Sequence, residues 1–256
     1  MKLESRMALL VAKYIPRGYW RITRFAAMRD QTLWDYPIPL KFIPGATIRS
    51  DLREPVFMEF LRNGCFGYQA GEDILFKSIL RPGDLVFDVG ANIGYPTILF
   101  AHIIGSTGKV IALEPSLRAF RLLKRTTSDF DNIESINVAV SNKKEEVLFY
   151  ETGDLVRSSI EAVPGVQPYT VTTVTLDKIA DRTGVPVFVK IDVEGHEACV
   201  IKGMSSILNE KRPPILMFEA LTNECLQLSL STLANIGISS RYSVFRVKQN
   251  GTVVSY

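Results

Sequence analysis

The stretch Val86-Phe-Asp88-Val-Gly90-Ala-Asn92-Ile-Gly94 decides the fold of this chain. Leu85–Val89 is apolar except for Asp88, the pattern of a strand buried on both faces. Gly90 and Gly94 then permit a tight turn and a close approach of backbone to a ligand. The apolar run Thr97–Ile104 follows as a helix, whose first amides and dipole suit a carboxylate or phosphate. In an open α/β sheet such a strand-turn-helix places its ligand outside the carboxyl end of the strand.

Outward from this unit the chain alternates strand and helix. Lys109–Leu113, Ser135–Val140, Val187–Asp192, Ile215–Glu219 and Tyr242–Val247 read as strands. Leu117–Ser128, opened by Ser116 as N-cap, Ala198–Leu208 and Cys225–Asn235 read as helices. The expected fold is a doubly wound α/β domain over residues 67–256 with a mostly parallel, Rossmann-like sheet. Residues 144–175 break the rhythm and read as an inserted edge strand and loop. Residues 1–66 form an extension: a basic helical lead-in broken at Pro16–Arg17–Gly18, a β-hairpin around Pro44–Gly45, and a helix Glu54–Arg62 with Pro55 in its first turn and a stop at Asn63–Gly64. A short helix from Glu72 to Leu80 precedes the domain's first strand.

The glycine turn is not that of a dinucleotide enzyme. Counting from Gly90, Asn92 and Tyr95 stand at the second and third positions of G-x-G-x-x-G, and Asp88 would repel a pyrophosphate. An ammonium or sulfonium would welcome that carboxylate. S-adenosylmethionine carries both, with a carboxylate of its own for the helix amides. Glu114, 24 residues after Gly90 and at the end of the second strand, is placed to accept both hydroxyls of a ribose.

The second informative block is Val187-Phe-Val-Lys190-Ile-Asp192-Val-Glu194-Gly195-His196-Glu197. Attack of a hydroxyl on a methyl sulfonium gains from a general base, and His196 titrates nearest neutral pH. The alternative for His196 is a cap or orienting residue at the start of the next helix. Asp192 and Glu194 are expected to orient His196, hold the acceptor hydroxyl or face the cation. Lys190, inside a buried strand, is expected to pair with Asp88, Asp192 or Glu219. His102 is expected to be structural. Two histidines without a ligating spacing give no basis for a dedicated metal site, although an acid-only Mg²⁺ or Ca²⁺ site stays open.

Of the 256 residues, 46% are hydrophobic and 22% charged, enough for a continuous core. The net charge of +3 hides a contrast. Residues 1–30 hold seven Lys/Arg against Glu4 and Asp30, a net of +5, and the rest of the chain carries −2. A mildly acidic body argues against a protein that grips long nucleic acid. The lead-in interleaves Leu9, Leu10, Tyr14, Trp20, Ile22 and Phe25 with its cations. It reads either as a surface helix packing its stripe on the body or as a contact for an anionic membrane or acidic partner. Cys65, Cys199 and Cys225 lie far apart, as in a chain from a reducing compartment, and no secretion signal is visible. A cytoplasmic location, with a peripheral position at the inner membrane surface as its variant, is the expectation.

Taken together these segments resemble the FkbM family of methyltransferases. The resemblance runs from about Gly67 to Phe218. It rests on Gly71–Glu72 before PGDLVFDVGANIG, Val110-Ile-Ala-Leu-Glu114-Pro115, Ile136-Asn-Val-Ala139-Val140, Ser158–Ser159, Thr175-Leu-Asp177, and VKIDVEGHE with Gly203. It implies a class I methyltransferase fold, S-adenosylmethionine as cofactor, and a sugar, glycan or natural-product hydroxyl as acceptor. By the same resemblance Glu72, Asp88, Gly90, Asn92, Gly94 and Glu114 line the cofactor, Asn137 or Ala139 approaches the adenine, and Asp192 and Glu194 stand at the transfer site. Tyr95–Pro96 departs from the family pattern, so Pro96 has to serve in the first helical turn. With Tyr256 soon after the Gly251 turn, the final hairpin is expected to be short or clipped. The competing classes are a cofactor-binding or partner-binding protein without turnover and, more remotely, an NAD-type oxidoreductase.

Overall fold

The computed structural model describes residues 1–14, 18–41, 43–54, 56–63, 70–152, 160, 163–247 and 252–255. Pro16, Arg17, Phe42, Pro55, Gly64, Cys65, Gly67, Ser158, Ser159 and Gly251, which carried expectations above, lie outside them. The chain forms two compact units, Met1–Phe76 with Val247–Thr252, and Lys77–Arg246 with Val253–Tyr256.

In the first unit, α1 (Leu3–Tyr14) and α2 (Tyr19–Arg29) pack on each other, with Gly18 at φ +76° opening α2. Asp30 locks them. Its carboxylate accepts bonds from Ser5 Oγ (2.6 Å), the Lys2 amide (2.8 Å) and Thr32 Oγ1 (2.7 Å), which hold it well below the usual carboxylate range. The expected hairpin is present as β1 (Tyr36–Pro39) and β2 (Thr47–Ser50), antiparallel with Ile38 opposite Ile48. Its first strand lies upstream of the expected Leu40–Ile43. The helices α3 (Val56–Asn63) and α4 (Ala70–Ile79) follow.

The second unit is built on five parallel strands in the order β10–β9–β3–β4–β5: Ile215–Phe218, Phe188–Ile191, Leu85–Val89, Lys109–Leu113 and Ile133–Ile136. Alternation along the strands explains both layers. Phe87, Val89, Ile111, Leu113, Val189 and Ile191 pack with residues of α7 (Leu176–Thr183), α8 (Glu197–Lys202), α9 (Ser205–Leu208) and α10 (Asn223–Asn235). On the opposite side Ala112 packs with Leu123 of α6 (Leu117–Thr126), and Phe188 meets Phe100 of α5 (Tyr95–Ile104) edge-on at 5.7 Å. The sheet is thus covered on both faces, as its apolar strands require. Chain order reverses beside β3, so the crevice at the carboxyl ends of β3 and β9 is the topological switch point.

Ser116 caps α6 by accepting the Ala119 amide at 3.0 Å, and α5 begins at Tyr95 with Pro96 in its first turn, where a missing N–H does no harm. Several elements differ from the sequence reading. The expected strand Ser135–Val140 breaks into β5 and β6 (Ala139–Val140) at Asn137, whose amide donates to the carbonyls of Glu114 (2.8 Å) and Pro115 (3.0 Å). The 144–175 insertion is not an edge of the main sheet. Its β7 (Glu146–Phe149) and β8 (Tyr169–Val174) pair antiparallel, and β8 pairs with β6 in a separate three-stranded sheet. Helix α7 adds to the expected elements, capped by Thr175, whose hydroxyl accepts the Lys178 amide. The expected helix Ala198–Leu208 divides at Gly203 into α8 and α9, because the Asp177 carboxylate accepts the Ser206 and Ile207 amides, both at 3.0 Å. Finally, β11 (Phe245–Val247) and β12 (Val253–Ser255) form a two-stranded sheet of their own.

Candidate cofactor site

A cleft lies at the carboxyl ends of β3, β4 and β9. It is lined by Val89, Gly90, Leu113, Glu114, Pro115, Val138, Ala139, Val140, Phe149, Ile160, Asp192 and Val193, and encloses about 420 Å³ including its open mouth. Its wall is largely apolar and carries two carboxylates, Glu114 and Asp192.

Glu114 ends β4 and is 6% exposed. One oxygen accepts the Asn92 amide and the other the Ser116 amide, each at 2.8 Å, so the carboxylate is fixed in orientation with lone pairs to spare. Burial pushes it up to about 7 against the pull of those two amides. Asn92 meets this bond in a left-handed conformation (φ +51°) that asparagine tolerates.

Gly90 lines the cleft in a tight turn and serves a further purpose. A Cβ there would stand 1.8 Å from the Asp192 carbonyl oxygen, and φ is +79°. The glycine lets the end of β9 cross against the β3 turn, and so brings Asp192 to the cleft. Gly94 (φ +94°) likewise clears Leu123 of α6. Gly90→Ala is expected to cost about 3 kcal/mol or more in urea unfolding, from backbone strain and overpacking together.

Asp88 is fully buried on the α5 side of β3, where Oδ2 accepts a bond from Thr97 Oγ1 at 2.5 Å and Oδ1 accepts none. Burial pushes its carboxyl up, opposed by Lys190, its register partner on β9. Asp88 therefore lies beneath the cleft lining rather than in it. Lys190 donates to Asp192 at 2.8 Å, one of its three expected partners. Burial would raise Asp192, but Lys190 and a hydrogen bond from Glu219 outweigh it and hold the carboxyl low. Glu219, just past β10, is pushed up to about 7 by burial and by Asp192 beside it.

The turn after β9 is strained in a defined place. Glu194 adopts φ +55° and Gly195 φ +102°, while the buried Glu197 carboxylate accepts the Gly195 (3.1 Å) and Val193 (3.4 Å) amides. His196 precedes α8 at its N-cap, and its Nε2 meets Ser141 Oγ at 3.0 Å. Neither Glu194 nor His196 is among the lining residues. Asn137 is exposed and braces Glu114 and Pro115 through its amide, whereas Ala139 faces the cleft. Glu72 belongs to the other unit, in the first turn of α4.

The sequence does not single out Phe149, Ile160 or Ser141 in this region, and marks Glu219 only as a partner for Lys190. Phe149 packs edge-on against Tyr169 (5.7 Å), whose hydroxyl accepts the Leu117 amide at 3.2 Å and is raised to about 12 by burial. Ser116 Oγ also donates to Glu151. Only the aromatic and acidic residues of an insertion hinted at this wall. No group of three or more His, Cys, Asp or Glu among the described residues is arranged to hold a metal ion.

Residues 88–227, which include every residue lining this cleft, match the model of the methyltransferase FkbM domain. The chain belongs to the FkbM methyltransferase family. The family's cofactor is S-adenosylmethionine, and the cleft fits it: Glu114 offers a carboxylate for ribose, an apolar wall stands beside it, and the Asp192 carboxylate would favour a cation. Among relatives, the hexuronic acid methyltransferase AglP of Haloferax volcanii is 30% identical over 144 residues, covering 54% of this chain and 58% of that protein. The chain thus matches little more than half the length of that relative. The protein-L-isoaspartate O-methyltransferase 2 of Archaeoglobus fulgidus is 29% identical over 127 residues, 48% of this chain and 44% of that one. The fibrillarin of Aeropyrum pernix, solved with natively bound S-adenosyl-L-methionine, aligns with a TM-score of 0.43 at 18% identity over 70% of this FkbM chain and 68% of its own.

Proposed function

We propose that this protein moves the methyl group of S-adenosylmethionine to a hydroxyl oxygen of a sugar-containing acceptor. The observation that carries the proposal is the cleft beyond β3, β4 and β9 with two carboxylates in its lining, Glu114 fixed by the Asn92 and Ser116 amides and Asp192 paired with Lys190. When bound, the cofactor supplies an electrophilic methyl on a sulfonium. Glu114 would hold its ribose and Asp192 would favour its positive charge. Glu219 is charged in part at neutral pH and has a pKa suited to taking the acceptor's proton. The sugar class rests on likeness to the hexuronic acid methyltransferase.

In this scheme His196 is a positioning residue, tying the β9–α8 turn to Ser141, and Glu194 shapes the same turn. Glu219→Gln should lower kcat about 100-fold and remove an acid limb near pH 7 from the rate profile. His196→Ala should leave the shape of that profile unchanged. The direct test is formation of S-adenosylhomocysteine and methylated product across a panel of sugar acceptors. Tight S-adenosylhomocysteine binding without turnover on any acceptor would instead favour a binding protein.

A further inference from the structure

The helical pair at the start of the chain is packed inside out. On α1 the buried residues are Ser5, Ala8, Leu9 and Ala12, while Leu3, Met7, Leu10 and Tyr14 are 58–82% exposed. These four recur at helical spacing and share an arc of roughly 60°. On α2 the pattern repeats: Thr23, Ala26 and Ala27 are buried, and Ile22, Phe25 and Met28 stand in solvent. Apart from Leu9, small residues thus fill the inside, and large apolar ones form the outer face, the reverse of an ordinary surface helix.

The charges beside this face select its partner. Lys2 and Arg6 border the α1 arc on one side, and Arg21, Arg24 and Arg29 interleave with the apolar residues of α2, all exposed. Residues 1–30 carry +5, whereas the rest of the chain carries −2. A second copy docking on this face about a two-fold axis would set arginines against arginines. An anionic lipid surface accepts the apolar side chains at its acyl boundary and the cations among its headgroups. The pair is held rigid for this by Asp30, which ties the first turn of α1 to the end of α2. With 12 and 11 residues the helices are too short to span a bilayer, and no helix among the described residues is long and apolar enough to cross one.

We propose that α1 and α2 seat the protein on the surface of an anionic membrane, lying in the interface plane with Leu3, Met7, Leu10, Phe25 and Met28 inserted. This stands independently of the methyl-transfer proposal.

The test is co-sedimentation of the full chain with vesicles of phosphatidylcholine, alone or with phosphatidylglycerol as about one lipid in three. The wild-type chain should bind the anionic vesicles roughly tenfold or more tightly, with the preference fading at about 0.5 M salt. Met7→Ser/Leu10→Ser/Phe25→Ser should lose about tenfold or more on anionic vesicles. Arg21→Gln/Arg24→Gln should erase the preference between vesicle types. Unchanged thermal unfolding and S-adenosylhomocysteine binding would show that the variants are folded. Equal binding by the triple-serine variant, no vesicle binding by the wild type, or a lipid-free dimer that this variant dissociates would each overturn the proposal.

Discussion

Glu114→Ala is expected to weaken S-adenosylhomocysteine binding about 100-fold or more in isothermal titration. Each oxygen of this carboxylate already accepts one backbone amide, which aims the remaining lone pairs into the cleft. Two ribose hydroxyls donating to an ionised carboxylate contribute on the order of 3–5 kcal/mol, hence the size of the effect. Removing the side chain also leaves the Asn92 and Ser116 amides without their acceptor, so the turn after Gly90 loosens. Glu114→Gln separates the two contributions, because its single oxygen can serve one amide but its NH₂ opposes the other. Glutamine should therefore lose nearly as much affinity as alanine. Wild-type affinity in either variant would remove Glu114 from the site and, with it, the way the cofactor is placed here.

The second large effect is a pair of pH dependences of opposite sign, one in the stability of the free protein and the other in ligand binding. In the folded chain Glu114 keeps its proton up to about 7, against 4.5 for an ordinary glutamate. Between those values the unfolded chain holds fewer protons than the folded one, so stability falls as pH rises. From this group alone the fall amounts to about 3 kcal/mol by pH 8. Asp88 and Glu219, also shifted upward, act in the same direction, while Asp192 and Glu134, shifted downward, are ionised in both states above pH 5 and add no slope there. The free protein should accordingly unfold at lower temperature at pH 8 than at pH 5. A ligand carrying a sulfonium and two ribose hydroxyls favours the ionised carboxylates. Its binding should strengthen up to about tenfold per pH unit below 7 and level off above. Thermal unfolding with and without S-adenosylmethionine at pH 6 and 8 measures both. A ligand-induced shift of equal size at the two values would contradict the role given to the buried carboxylates.

Much of this protein is legible in its primary structure because the signals are local. Apolar runs of four or five residues ending in glycine or an acid mark β3, β4 and β9, and Ser116 marks the start of α6 as a cap. The position of Glu114 at a strand end, 24 residues past Gly90, points to a ribose through chain spacing alone. The insertion is harder. Its strands follow no alternation with helices, so nothing local says that β8 pairs with β6 instead of the main sheet, or that Phe149 walls the cleft.

What the order of residues determined by itself was the α/β class, the glycine turn, the acids at the strand ends and the cationic start of the chain. What only the tertiary structure decided was where those groups face. Gly90 is needed by the Asp192 carbonyl 102 residues later, Asp88 is opposite Lys190 only through the β3–β9 register, and His196 meets Ser141 across the α8 turn. The first two helices turn alanines inward and large apolar residues outward only once they pack. Strand and helix formation depends on neighbours along the chain, while burial, pKa and pairing depend on residues brought together from far apart, which no local pattern encodes.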